Sequence, residues 1–345
     1  MLTVLDHLPE ALLNCEANEL HKHLQGPTLI HLQGRNKSPL FLSVLLHGNE
    51  DTGWCAVRRL LNKYQGKKLP RDLSIYIGNV EAARFNVRYL DQQPDYNRIW
   101  RIKKTDQLMP EHKMMQQVAN IMRQRKPFAS IDIHNNTGIN PHYACVNRLD
   151  HHFFHLATLF SRTVVYFTRP DTVQSSVFSE FCPALTVECG QPGQANGVSH
   201  AMDFIDACLH LSQIPDHEVS AHDIDLFHTV AVAKVLPDVS FCFRQEKCDI
   251  RFPDDLDHLN FRELPVNTTL GWVNGRTDVP LDVRDEQGRE VRDLYFEIKN
   301  SELRLRTPIM PSMLTVNERA IRQDCLCYLM ERYPVTAAEG AADST

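Results

Sequence analysis

The chain has 345 residues, of which 43% are hydrophobic and 23% charged, and a formal net charge of -6 at pH 7. That composition is ordinary for a globular protein, and the acidic balance gives no electrostatic footprint for nucleic acid or for an anionic membrane surface. No basic leader followed by an apolar core and no run of about eighteen apolar residues occurs, so a cytoplasmic protein without a membrane partner is expected. The cysteines carry no C-x-x-C pair and no regular spacing, which favours reduced structural thiols over a disulfide framework or a zinc finger.

Leu2, Leu5, Leu8, Leu12 and Leu13 recur with a helical rhythm, and Thr28 to Leu32 reads as a short extended edge element. Phe41 to His47 is an apolar run suited to a strand covered on both faces, and it ends in His47-Gly-Asn-Glu50. Gly48 and Asn49 permit a sharp turn into the next helix. Imidazole and carboxylate both ligate zinc, and two histidines with one carboxylate leave a position open for water. Strand ends in open α/β sheets are where such groups assemble. Spacing alone decides little, because His7-Leu-Pro-Glu10 shows the same His-x-x-Glu pattern inside an expected amphipathic helix.

Trp54, Val57, Leu60, Leu61 and Tyr64 then recur at helical spacing, and Leu73 to Ile77 forms the next strand. Arginines gather in the following stretch, from Arg84 through Arg88 and Asp91 to Asn97-Arg98, without any helical pattern that requires them. Met114, Met115, Val118, Ile121 and Met122 mark a helix over 111–125. Ala129 to His134 alternates so that Asp132 and His134 share one face of a strand, which makes His134 the third ligand. Asp132 either orients a ligand from behind or caps backbone groups at the strand end.

Asp150-His151-His152 and His155 form a rival cluster, with His151 and His155 one helical turn apart. The stripe Phe153, Phe154, Leu156, Leu159 and Phe160 makes them, more simply, the wet first turn of a helix. Val164 to Phe167 and Ala184 to Glu188 are further strands, followed by a helix burying Val198, Met202, Ile205 and Leu209. Glu188 ends a buried run, where an unpaired carboxylate is costly. It either pairs with an arginine or serves as a general base beside the metal.

Near Ile214-Pro215 the helical periodicity gives way to short strands at 229–233, 240–243, 269–273 and 295–298. The expected organisation is an α/β catalytic domain over 1–214, with a mixed central sheet flanked by helices, a smaller β-rich domain over 215–336, and a disordered tail at 337–345.

Taken together and in order, His47-Gly-Asn-Glu50, the arginine segment, Asp132-Ile-His134-Asn and Val187-Glu188-Cys-Gly190 resemble the succinylglutamate desuccinylase and aspartoacylase family of zinc carboxypeptidase-like enzymes. The resemblance covers most of the chain. It implies one Zn²⁺ per chain held by His47, Glu50 and His134, with Glu188 activating water and Arg88 polarising the scissile carbonyl. Asn97 and Arg98 match the pair that grips the substrate carboxylate; the plain alternative for Arg88 and Arg98 is a surface ion pair with Asp91 or Asp95. The β-rich half resembles the domain that partly caps the site in these enzymes. Here Arg169 lies well upstream of Glu188, unlike the family's second arginine, and neither Tyr295 nor Tyr328 aligns with a family tyrosine.

The implied activity is zinc-dependent cleavage of the amide bond of a small carboxylate-bearing N-acyl amino acid, with a homo-oligomer compatible with it. A metallocarboxypeptidase acting on peptides and a catalytically silent zinc-binding protein are the alternatives.

Overall fold

The computed structural model describes residues 1–103, 107–244 and 247–334, and the tail expected at 337–345 lies outside them. The chain forms two compact units, the first comprising Met1–Asn135, His142–Leu226 and Pro334, the second Asn136–Pro141 and Phe227–Tyr333. Among the described residues no helix is long and apolar enough to cross a membrane.

The first unit is built on a mixed sheet of β1 (Thr3–Leu5), β2 (Thr28–Leu32), β3 (Gly34–Val44), β4 (Leu69–Ile77), β5 (Ala129–His134), β6 (Tyr143–Val146), β7 (Thr163–Tyr166) and β8 (Ala184–Glu188). Their spatial order is β1-β2-β4-β3-β5-β8-β6-β7. β4, β3, β5 and β8 run parallel, so consecutive neighbours in the middle of the sheet end on the same side. All residues of β4, β5 and β8 are buried, as parallel strands covered on both faces must be.

The helices are α1 (Thr52–Lys63), α2 (Val80–Arg84), α3 (Pro110–Arg125), α4 (His151–Phe160), α5 (Gln174–Phe178) and α6 (Ala195–His210). α1 buries Trp54, Val57, Leu60 and Leu61 as its periodicity requires and packs on α6. Phe41 and Phe178 stack at 4.6 Å, and Trp100 meets Phe178 edge-on at 5.8 Å, closing the core beneath α5.

Two local expectations are corrected. The leucine rhythm at the N-terminus does not give an α-helix: β1 is followed by 3₁₀ turns at Glu10–Asn14 and Ala17–Lys22. Pro9 stands before the first of these, and Leu12 and Leu20 supply the apolar anchors. The strand carrying the His-x-x-Glu motif ends at Val44, before His47, with Leu45 at φ 55°, and the expected turn at Gly48-Asn49 follows, closed by the Glu50 N–H donating to the His47 carbonyl at 3.2 Å. Gly48 is required for another reason: a Cβ there would lie 2.2 Å from backbone atoms of Ala82 and Ala83.

The second unit contains β9 (Asp225–Val235), β10 (Phe241–Cys242), β11 (Ile250–Arg251), β12 (Thr269–Val273), β13 (Leu281–Asp285), α7 (Arg292–Tyr295), β14 (Phe296–Lys299), β15 (Glu302–Leu305), β16 (Met310–Ser312), α8 (Glu318–Gln323) and β17 (Cys327–Arg332). β9 pairs antiparallel with β13 and β17, and β17 with β16. β10-β11-β12-β15-β14 form a separate smaller sheet. Between them lies a core that includes Phe252, Leu281, Val283, Leu303 and Leu305. Cys242 and Cys248 are joined by a disulfide, which corrects the expectation of reduced thiols at this pair, while the other eight cysteines lie outside any disulfide.

Candidate metal centre

The carboxyl ends of β3, β5 and β8 bring the expected site residues together. In the β5–β8 ladder His134 stands directly opposite Glu188. The loop after β3 adds His47 and Glu50, and ligand atoms of His47, Glu50 and His134 lie within 4.8 Å of one another. All four side chains are buried.

The two imidazoles are arranged alike. His47 Nδ1 lies 2.8 Å from Glu50 Oε1, and His134 Nδ1 lies 2.7 Å from Glu50 Oε2. Their other nitrogens face different carboxylates, His47 Nε2 at 2.9 Å from Asp95 and His134 Nε2 at 2.8 Å from Asp132. A neutral imidazole has one N–H. If that hydrogen is given to Asp95 or Asp132, each Nδ1 turns a lone pair toward the Glu50 carboxylate. Lone pairs meeting at such distances need a cation between them, supplied either by two extra protons or by one metal ion. Two nitrogens and a carboxylate, backed by carboxylates, form a donor set suited to Zn²⁺.

The electrostatics express the same need. Burial alone would raise Glu50, but the adjoining His47 and His134 hold it well below the usual carboxylate range. Burial would lower His134, yet Asp132 and Glu50 lift it well above an ordinary histidine. His47 is opposed by burial and Arg88 and still raised by Glu50 and Asp95. Glu188 behaves differently: burial pushes it up to about 7, against the pull of His134.

The structure decides between the two roles offered for Asp132. Its Oδ1 accepts a 2.5 Å hydrogen bond from Ser43 Oγ while its Oδ2 faces His134, so it orients the ring. Arg88 donates to Asp95 Oδ2 from Nη2 at 3.0 Å, and its Nη1 lies 3.9 Å from Glu50 Oε1. The ion pair with Asp95 exists, but inside the site, not on the surface. Asn97 is buried, with Nδ2 3.3 Å from His134 Nε2 and Oδ1 accepting from the Gln174 amide. Arg98 Nη1 donates to the Asn97 carbonyl at 3.1 Å. Arg169 pairs with Asp171 at 2.9 Å. Tyr295 ends α7 and Tyr328 lies in β17.

Two residues escaped sequence reasoning. Asp95 touches His47, Arg88 and the Asn97 amide at once. Its position between two arginines was the signal that could have found it. Asn135 donates through its backbone N–H to Glu50 Oε2 and through Nδ2 to the Gly190 carbonyl, and its Oδ1 accepts from Thr52 N. It thereby ties the ends of β5 and β8 to the start of α1.

The fold and this cluster define an α/β protein with a buried His-Glu-His group able to hold a metal at the ends of parallel strands. The family model described as the succinylglutamate desuccinylase/aspartoacylase catalytic domain matches residues 37–210, half of the chain, and the chain belongs to that family.

Among solved structures it is similar to a succinylglutamate desuccinylase/aspartoacylase from Rhodobacter sphaeroides (13% identity, TM-score 0.58, covering 89% of each chain). It is also similar to murine aminoacylase 3 (15% identity, TM-score 0.55, covering 87% of this chain and 96% of that one). A third likeness is the succinylglutamate desuccinylase from Chromobacterium violaceum (17% identity, TM-score 0.52, covering 80% of this chain and 86% of that one). At these identities the likeness is one of fold. No curated protein sequence matches the chain.

Proposed function

We propose that this protein is a zinc-dependent amidohydrolase that cleaves small, carboxylate-bearing N-acyl amino acids, with the cytoplasm as its compartment. Residues 1–214 are its catalytic domain in this reading. The observation that carries it is the convergence of His47 Nδ1 and His134 Nδ1 on Glu50, with Asp95 and Asp132 behind them. Family membership supports deacylation over peptide cleavage.

His47, Glu50 and His134 would hold Zn²⁺, which would supply Lewis-acid chemistry and make water acidic enough to be deprotonated near neutral pH, at a pKa of roughly 7. Glu188, raised to about 7, is matched to accept a proton from the attacking water at neutral pH and return it to the leaving nitrogen. Arg88, 3.9 Å from Glu50, carries a fixed positive charge to the edge of the ligand group. There it meets the negative charge developing on the carbonyl oxygen. Asn97 and Arg98 form the grip for the substrate carboxylate, for which a guanidinium fork is well suited. Asp95 keeps Arg88 and His47 in register with each other.

The test is release of free amine from a panel of N-acetyl, N-formyl and N-succinyl amino acids and short peptides, by the zinc-loaded protein, with and without chelator. Chelator-sensitive release from N-acyl amino acids is expected and names the acyl group. Release from peptides alone would replace this reading with a carboxypeptidase. Zinc binding with no turnover on any member would replace it with a non-catalytic zinc protein.

A further inference from the structure

A second group of metal-ligating side chains sits on the first unit, at the start of α4. Ligand atoms of Asp150, His151 and His152 lie within 4.8 Å of one another. The partners differ from the His151/His155 chelate that helical spacing suggests, because His155 Nε2 instead donates to the His217 carbonyl at 2.7 Å. His152 repeats the arrangement of His47 and His134: Nδ1 is 3.0 Å from Asp150 Oδ1, and Nε2 is 2.9 Å from Asp216 Oδ1. One imidazole again has a carboxylate on each nitrogen. The His151 and His152 rings are 4.4 Å apart.

We infer that Asp150, His151 and His152 form a second, exchangeable site for a divalent transition-metal ion, with Asp216 orienting His152 from behind. Two imidazoles and a carboxylate oxygen suit Zn²⁺, Ni²⁺ or Cu²⁺ and disfavour Mg²⁺ and Ca²⁺, which take oxygen donors. The positive end of the α4 dipole opposes a cation here, and the carboxylates of Asp150 and Asp216 offset it.

Exposure sets this site apart from the first one. The side chains of His152 and Asp150 are 34% and 37% exposed, and that of Asp216 is 87% exposed. Water competes for the ion at such a site, so the ion held there is weaker and leaves first. Asp216 comes from the segment after α6, so filling the site also pins that segment to α4.

The experiment is calorimetric titration of the metal-free, full-length protein with Zn²⁺, with elemental analysis of the product. Wild type is expected to take up two ions per chain, one at least about tenfold more weakly, by analogy with the cost of losing burial and outer-shell support. His151→Ala/His152→Ala should lose the weak ion and keep the tight one, with Asp150 left to cap the helix. His134→Ala should do the reverse. Asp216→Asn, at a surface position that cannot unfold the chain, should weaken only the second ion by about tenfold. A wild type that binds one ion, or a double variant that binds as many as wild type, would overturn the site and leave His152 as an ordinary ion-paired imidazolium. The two sites fail separately, because each has its own variant.

Discussion

Asp95 Oδ1 lies 2.9 Å from His47 Nε2, while Asp95 Oδ2 takes the Arg88 guanidinium at 3.0 Å. One carboxylate thus fixes both a candidate ligand and the cation beside it. Burial would raise Asp95, and His47, Arg88 and Arg98 together hold it well below the usual carboxylate range. Asp95→Asn keeps the shape and removes the charge. It should weaken zinc binding by about 10–100-fold and lower kcat/KM further through a misplaced Arg88. Chelator competition and steady-state kinetics read the two effects. Unchanged zinc affinity would leave Asp95 with no part in the site.

Glu188→Gln should retain zinc and lose about 10²–10⁴ of turnover. Elemental analysis checks the first and single-turnover amine release the second. A variant as active as wild type would remove Glu188 from the proton path.

Gly48→Ala should be severe. Its Cβ would lie 2.2 Å from the Ala82 carbonyl carbon and the Ala83 nitrogen, atoms that cannot swing away. The Gly48 amide also donates to the Arg88 carbonyl at 3.0 Å, so a backbone shift drags the arginine segment with it. Loss of about 3 kcal/mol is expected, read by urea unfolding, together with loss of activity. A variant of wild-type stability would contradict the close packing described for this turn.

His31, on β2, provides a pH-dependent term outside the candidate metal centre. Burial, aided by Arg125, lowers its pKa to about 4 from 6.5. Between those values the unfolded chain binds a proton that the folded one does not, so stability rises with pH across this window and is lost on acidification. Solvent reaches part of the ring, so the effect is roughly 1–2 kcal/mol. Urea unfolding at pH 4.5 and 7.5 should show a smaller difference in His31→Gln than in wild type. The comparison between variants separates His31 from metal loss, and equal differences would exclude it.

What could be read directly from residues was the periodic part. α1, α3, α4 and α6 follow apolar spacings, and β5 and β8 are short runs whose burial leaves no choice of face. His47, Glu50 and His134 were legible because a titratable group that closes an apolar run is costly to bury unless a partner compensates it. Asp95 was harder, since its contact with His47 spans 48 residues and a carboxylate near arginines looks like a surface pair. β6 lacked any alternation that marks it, and β11 is two residues long, below the length at which a pattern exists, whereas β10 falls inside the strand expected at 240–243. The N-terminal leucines had a helical rhythm, but contacts to the rest of the unit, such as Trp54 Nε1 donating to the Cys15 carbonyl, favoured tighter turns.

The ladder between β5 and β8 runs without a break from Ser130 opposite Ala184 to His134 opposite Glu188. The separation of those last two backbones is therefore the ordinary inter-strand spacing, about 4.8 Å, and no flexible loop intervenes. Loops around the site can change length or sequence while this distance stays as constant as a lattice repeat, so the placement of Glu188 relative to His134 is set by the sheet itself.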